Sequence, residues 1–240
     1  MCMKKVLALI LLSWTLTASA FWQDLTAKSW LVADGSGKIL QHENIYEVRS
    51  IASISKLMTV MVVLDAKQDL DQYIKPYTRR ELIQLSLVKS DNTATQTLCD
   101  NYPGGKRACV SAMNYKAQEL DMPNTRFIES TGLSVFNVST ADELIKLVLK
   151  AGEYPEIVSA SNTSEVKIKI RNKWLIFRNT NPIIGKKHNF IVSKTGYIKA
   201  SGGCIVMMLD TDVGRRIVVL LGSKSTRTRI PEAEFIVENS

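Results

Sequence analysis

Apolar and polar positions alternate with different periods in the two halves of the chain. Ser29-Trp30-Leu31-Val32-Ala33 and Lys38-Ile39-Leu40-Gln41 flank Asp34-Gly35-Ser36-Gly37, which predicts a β-hairpin with a four-residue loop. Leu57 to Leu64 is apolar on nearly every side and follows small residues, so it predicts a helix buried all round, running through the middle of the fold. Arg79–Val88 and Lys106–Leu120 have the spacing of amphipathic helices. Thr140-Ala141-Asp142-Glu143 has the capping-box pattern and opens a further helix that ends near Gly152.

Beyond residue 160 the period falls to two. Val166, Ile168 and Ile170 alternate with Lys167 and Lys169, giving a strand with one lysine-covered face. Trp174–Phe177, Phe190–Lys194, Cys204–Leu209 and Arg215–Leu221 are further strand candidates, with Asp210–Gly214 as the turn between the last two. A closing helix, Pro231–Glu238, has Pro in its first turn and Glu232 and Glu234 near its N-terminus, where the helix dipole favours negative charge. The first hairpin must bury its apolar face. The economical solution is an α+β fold in which one antiparallel sheet joins both chain ends and a helical lobe is inserted between them.

Residues 1–20 stand apart from this pattern. Lys4 and Lys5 precede an apolar run, Val6 to Trp14, and Ala18-Ser19-Ala20 supplies small residues for cleavage, so the segment reads as a secretory signal peptide. The run is short of the ~20 residues that span a bilayer. About 220 residues then follow, enough for one sizeable core, and residues 21–240 are expected to form a single domain. The formal charge of +8 drops to near +6 without the signal. The remaining basic residues are scattered, which suits an anionic polymer or envelope and makes nucleic acid a poor partner for an exported chain.

The chain has two histidines, His42 and His188, so no zinc motif of the H-E-x-x-H kind can be built and no metal or other cofactor is expected. Neither sits where a Ser-His-Asp triad needs it. Cys99 and Cys109 flank the turn Tyr102-Pro103-Gly104-Gly105 and can close a small-loop disulfide in an oxidising compartment, or remain free; Cys204, in an apolar strand, reads as a buried thiol.

Three short motifs occur in order: Ser53-Ile54-Ser55-Lys56, Ser90-Asp91-Asn92 and Lys194-Thr195-Gly196. Singly each has an ordinary structural explanation, as a helix N-cap, a polar turn and a strand end, and Ser164-Glu165-Val166-Lys167 repeats the S-x-x-K spacing inside a strand. Context separates the first from this echo. Ser53 is read as opening the buried helix, with Lys56 one turn further on the same face. A serine activated without histidine needs a neutral amine. A lysine, with its ordinary pKa of about 10.4, becomes one only when desolvated or placed near another cation. Lys56 with Lys194 nearby meets both conditions. Ser90 can relay a proton to the leaving amine, Asn92 offers its amide to a substrate peptide group, and Lys194-Thr195-Gly196, read as ending the strand Phe190–Ser193, lets a substrate backbone pair closely, while backbone N–H groups hold the oxyanion.

The trio is the signature of penicillin-binding proteins and class A β-lactamases. The chain resembles the low-molecular-mass penicillin-binding proteins, serine D-alanyl-D-alanine peptidases of the S11 type, and is most similar to their periplasmic D-alanyl-D-alanine endopeptidase branch. The resemblance covers about residues 28–238 and includes Val48-Arg49-Ser50-Ile51-Ala52, Ser130-Thr131-Gly132-Leu133-Ser134, Phe177-Arg178-Asn179-Thr180-Asn181 and Ser201-Gly202-Gly203-Cys204. It implies a β-lactamase/transpeptidase-like fold, a five-stranded antiparallel sheet flanked by helices. It further implies Ser53 as acylated nucleophile, Lys56 as its base, Ser90 and Asn92 on a second wall, and Lys194, Thr195 and Gly196 on a third. The backbone N–H groups of Ser53 and Tyr197 are implied as the oxyanion hole, with Arg178 helping Thr195 to hold a substrate carboxylate. Peptidoglycan muropeptides are the implied partners and β-lactams the implied covalent inhibitors.

Many relatives carry a further β-rich domain and an amphipathic anchor. Here the closing helix is acidic at its start and nothing follows it, so a soluble periplasmic enzyme with no stable membrane anchor after signal cleavage is expected. The Cys99–Cys109 pair lies outside the family pattern. A β-lactamase needs a glutamate to activate the deacylating water in an E-x-x-L-N stretch, and none lies between Asn92 and Lys194. A non-catalytic binding module has no use for a lysine made costly by burial. Between the two peptidase activities, the resemblance favours the endopeptidase that cuts D-alanine–diaminopimelate cross-links, with the carboxypeptidase that removes terminal D-alanine as the alternative.

Overall fold

The structure, a computed structural model, describes residues 25–186 and 188–240. The export signal read at residues 1–20 lies outside them. In chain order the elements are β1 (Ser29–Asp34), β2 (Ile39–Glu43), β3 (Arg49–Ser50), α1 (Ser55–Asp65), β4 (Tyr73–Ile74), β5 (Tyr77–Thr78), α2 (Arg79–Gln84), α3 (Asn92–Asp100), α4 (Gly105–Glu119), β6 (Val138–Ser139), α5 (Ala141–Ala151), α6 (Pro155–Ser161), β7 (Glu165–Ile170), β8 (Lys173–Arg178), β9 (Asn189–Ile198), β10 (Gly202–Thr211), β11 (Gly214–Ser223) and α7 (Arg229–Glu238). The expected sheet is present: five antiparallel strands in the order β2-β1-β11-β10-β9, two from the start of the chain and three from its end. The helices α1 to α6 lie between them in sequence.

Both faces of this sheet are covered, which explains why its central strands read as nearly unbroken apolar runs. Leu31, Val206, Met208, Val219 and Leu221 face one core together with α1, α4 and α5. Their neighbours Trp30, Val32, Ile205, Met207, Val218 and Leu220 face the other, closed by Ile230, Ala233, Ile236 and Val237 of α7. In α1 every residue from Ser55 to Val63 is buried, as the all-round apolar pattern requires. Cys99 near the end of α3 is bonded to Cys109 of α4, and Cys204 is a buried free thiol. Among the described residues no helix is long and apolar enough to cross a membrane.

Several elements differ from the sequence expectation. β7 and β8 pair only with each other, forming a separate hairpin outside the five-stranded sheet. The helix expected over Arg79–Val88 is α-helical only to Gln84 and continues as a π-turn, Leu85–Lys89, that ends at Ser90 in a left-handed conformation (φ 58°). Its first turn has the full reciprocal capping box, Thr78 with Glu81, whereas only half of the box read at Thr140 exists. Thr140 accepts from the Glu143 N–H, but the Glu143 carboxylate turns away to Asn124 and Thr125. The closing helix starts two residues before Pro231. Finally, β9 does not end before Lys194; it runs on to Ile198, so the whole Lys194-Thr195-Gly196 motif lies within a sheet-edge strand.

Candidate active site

Three separate segments converge. The first is the turn that leads into α1. Ser53 sits in a 3₁₀ turn, Ala52–Ile54, rather than at the start of the α-helix, and no side-chain cap bond is made at either helix start. The ordinary N-cap role for Ser53 is therefore absent, and its hydroxyl is free for Lys56. The turn is held in an uncommon shape: Ala52 has φ 46°, in the region that side chains with a Cβ rarely occupy. Gly132 and Gly196 clasp it from two sides. A Cβ built on Gly132 lies 1.9 Å from the Ala52 carbonyl oxygen, and one on Gly196 lies 3.0 Å from the Ser53 nitrogen. Only glycine permits the first approach, and a side chain at the second would crowd the turn.

Lys56 occupies the centre. Its Nζ is 2.7 Å from Ser53 Oγ, 2.7 Å from Asn92 Oδ1 and 2.6 Å from the Thr131 carbonyl oxygen. The residue is fully buried. Burial pushes its pKa down to about 8, against the opposing pull of Glu129 and Asp91. The ligand set has a direction. Asn92 Oδ1 and the Thr131 carbonyl can only accept, so a neutral amine gives them its two N–H bonds and turns its lone pair to the Ser53 hydroxyl. The ammonium form instead donates to all three.

The second segment carries Ser90 and Asn92. Asp91 caps α3 by accepting from the Ala94 N–H, which leaves Asn92 in the first turn with its amide oxygen on Lys56. The third is β9. Lys194, 1% exposed, donates from Nζ to Ser90 Oγ at 2.7 Å and to the Thr195 carbonyl at 2.9 Å. Burial first, then Lys56 and Arg229, hold its ammonium pKa well below the ordinary range. Thr195 Oγ1 pairs at 2.6 Å with Thr180 Oγ1.

Of the residues singled out from the sequence, Ser53, Lys56, Ser90, Asn92, Lys194, Thr195 and Gly196 are thus brought into one connected set. Tyr197 follows Gly196 with a half-exposed side chain. Arg178 stands exposed at the end of β8, and the stretch it belongs to reaches Thr195 through Thr180 instead.

Sequence reasoning missed the supports. Glu129 accepts from Thr131 N–H and Oγ1 and from Gly132 N–H, each at 2.6 Å, and so aims the Thr131 carbonyl at Lys56. Buried Asn137 ties the same loop to Ser55 Oγ, and Ser55 in turn donates to the Ala52 carbonyl. Arg229 of α7, largely buried, donates to the Gly196 carbonyl at 2.7 Å. The available signal was the carboxylate two residues before Thr131-Gly132, a spacing suited to gathering turn N–H groups; a single arginine in the last helix gave none.

The sequence profile of the D-alanyl-D-alanine carboxypeptidase family, peptidase S11, matches residues 15–75 and 72–225. A D-alanyl-D-alanine endopeptidase of Pseudomonas aeruginosa is 42% identical over 235 residues, which cover 88% of this chain and 76% of that protein. One of Escherichia coli is 39% identical over 208 residues, covering 77% and 67% respectively. Among solved structures, penicillin-binding protein D2 from Listeria monocytogenes in its cefotaxime-bound form superposes with a TM-score of 0.78 at 27% identity, over 90% of this chain and 97% of that one. The fold is that of the penicillin-binding proteins, as the motifs implied.

The clasp around Ser53 gives a direct test. Gly132→Ala adds a Cβ against the Ala52 carbonyl at φ 81°, whereas Gly105→Ala is placed at φ 73° with nothing within 4 Å. Backbone strain is then common to both and the collision belongs to Gly132 alone. We expect the first to lower stability by about 2 kcal/mol or more and the second by about 1 kcal/mol, read from denaturant midpoints.

Proposed function

The chain belongs to the peptidase S11 family of serine D-alanyl-D-alanine peptidases, and from that premise we infer that it opens peptide bonds of peptidoglycan through an acyl-enzyme on Ser53. The observation that carries this reading is the buried Lys56 amine, which has two carbonyl acceptors and one hydroxyl around it.

In the forward step Ser53 Oγ bonds to the carbonyl carbon of the substrate D-alanine, and its proton passes to Lys56 Nζ. The negative oxygen that forms is held by the backbone N–H groups of Ser53 and Tyr197, a reading supported by the close approach of Gly196 to the Ser53 nitrogen. As the carbon–nitrogen bond breaks, Ser90 hands its hydroxyl proton to the leaving amine. Lys194, hydrogen-bonded to Ser90, replaces that proton, and the proton that Lys56 took from Ser53 passes on to refill the Lys194–Ser90 pair, so that Lys56 is neutral again before water enters. Water then attacks the ester carbon, Lys56 takes the water's proton, and Ser53 Oγ leaves with it. Asn92 and the edge strand β9 align the substrate backbone, and Thr195, paired with Thr180, takes its carboxylate. β-Lactams acylate the same serine, and the ester is long-lived because no E-x-x-L-N stretch between Asn92 and Lys194 supplies a glutamate to activate water for its hydrolysis.

The two endopeptidase relatives favour the cross-link as the scissile bond: D-alanine joined to the D-centre of diaminopimelate. Residues 1–20 act as the export signal, residues 21–240 form one catalytic domain, and the enzyme works in the periplasm. The Cys99–Cys109 disulfide suits that oxidising compartment.

A fluorescent penicillin tests the chemistry: the wild-type chain is expected to form a covalent band and Ser53→Ala to lose it completely. A wild-type protein that never labels leaves only a binding module. The pH dependence follows from the lowered pKa of Lys56. Because the neutral amine is the active form, the acylation rate should rise about tenfold per pH unit up to about pH 8 and level off above it. A profile flat from pH 6 to 9 contradicts Lys56 as the base. Side-by-side digestion of cross-linked muropeptide dimers and pentapeptide monomers decides the substrate. Cleaved dimers are expected; released D-alanine with dimers untouched establishes the carboxypeptidase instead.

A further inference from the structure

The β7–β8 hairpin has two dissimilar faces. On the inner face Val166 and Ile168 are buried, and half-buried Phe177 packs on the same core. On the outer face Lys167 pairs with Ile176 and Lys169 with Trp174. Trp174 is 66% exposed and Ile176 55%, both large values for apolar residues with a core within reach. The charge of the hairpin is predominantly of one sign. Residues 165–178 carry Lys167, Lys169, Arg171, Lys173 and Arg178 against the single acid Glu165, which lies 3.7 Å from Lys167. Folding does not need this face, since the inner one anchors the hairpin.

Its position links it to the site. Immediately after β8, the Asn179 N–H donates to the Ser164 carbonyl, and the Thr180 N–H donates to the Val88 carbonyl, two residues before Ser90. The Thr180 hydroxyl pairs with Thr195. The base of the hairpin is therefore pinned to two walls of the active site. At its other end Arg171 and Asn172, both left-handed at φ 44° and 64°, form a tight two-residue turn that stiffens the projection.

We propose that the outer face of this hairpin is a docking ridge for the peptidoglycan polymer itself, on which the Trp174 indole stacks against the sugar strand and Lys167 and Lys169 pair with the carboxylates of its peptide stems. The proposal rests on the peptidase reading given above and adds to it a second contact with the same substrate. Three features select this occupant. The charge complements an anionic polymer. A flat aromatic among lysines offers both a stacking plane and ionic partners. The ridge also starts at the wall where the scissile peptide must lie. A bilayer fits less well, because the tip of the hairpin is Arg171-Asn172 and the apolar side chains lie along its flank instead of at the end that would enter lipid.

The test compares the wild-type chain with Trp174→Ala and with the double variant Lys167→Glu, Lys169→Glu. Four readouts are taken: cosedimentation with intact sacculi, cosedimentation with phosphatidylglycerol vesicles, penicillin acylation, and cleavage of soluble muropeptide dimers. Sacculus affinity is expected to fall about tenfold in each variant and, for wild type, to weaken with salt. Acylation and dimer cleavage should stay within about twofold, which also shows that the variants are folded. Unchanged cosedimentation overturns the proposal. So does a loss seen only on phosphatidylglycerol vesicles, which marks a membrane surface. Should wild type neither acylate nor cleave while the variants still lose sacculus binding, the ridge stands and the catalytic reading falls.

Discussion

A lysine amine taken fully out of water governs how the surrounding structure must be built. Burying an ammonium is costly unless every proton finds an acceptor, and burying a neutral amine requires that its lone pair have a use. Lys56 meets both conditions with one set of partners: Asn92 Oδ1, the Thr131 carbonyl and the Ser53 hydroxyl. Because two of these can only accept, the arrangement leaves one direction for the lone pair. Everything else near the site serves to hold those three oxygens at hydrogen-bonding distance. Glu129 fixes the Thr131 loop, Asp91 caps the helix that presents Asn92, and glycines 132 and 196 let the Ser53 turn be clasped from both sides.

Lys194 extends the same logic to the opposite wall. A second buried amine beside the first makes it unfavourable for both to be charged, and Arg229 adds to that pressure. Each lysine has one hydroxyl of the site as a partner, Ser53 for one and Ser90 for the other. Each amine thus lies within hydrogen-bonding distance of a hydroxyl while the lysine itself is buried.

The sheet and the site were legible in the sequence to different depths. The central strands and α1 could be read because burial on both faces, or all round, leaves a simple apolar record at Val206–Leu209, Ile217–Leu221 and Leu57–Leu64. The hairpin β7–β8 was read as strands, but alternation alone does not say which sheet a strand joins, and it stands apart. The three motifs marked the site because their spacing reflects chemistry. The supporting parts left weaker traces. No local pattern announces the π-turn before Ser90 or the left-handed Ala52, since both are imposed by packing from distant segments. Asn137 and Arg229 act through single hydrogen bonds over long sequence separations, which no periodicity can encode. The end of β9 was misplaced for a related reason: a glycine and two polar residues read as a strand terminus, yet here they continue an edge strand.

The order of strands across the sheet has a consequence for how the molecule comes into being. β1 lies between β2 and β11, so a polypeptide emerging from its N-terminus leaves that first strand unpaired on one side until nearly the whole length has been synthesised. Lys194 and Gly196 arrive almost as late. A partly emerged chain therefore holds its serine and lysine without the wall that completes them, and hydrolytic competence is withheld until the last strands dock. The order of the strands thus makes the cleft between Lys56 and Lys194 one of the last features of the fold to be completed.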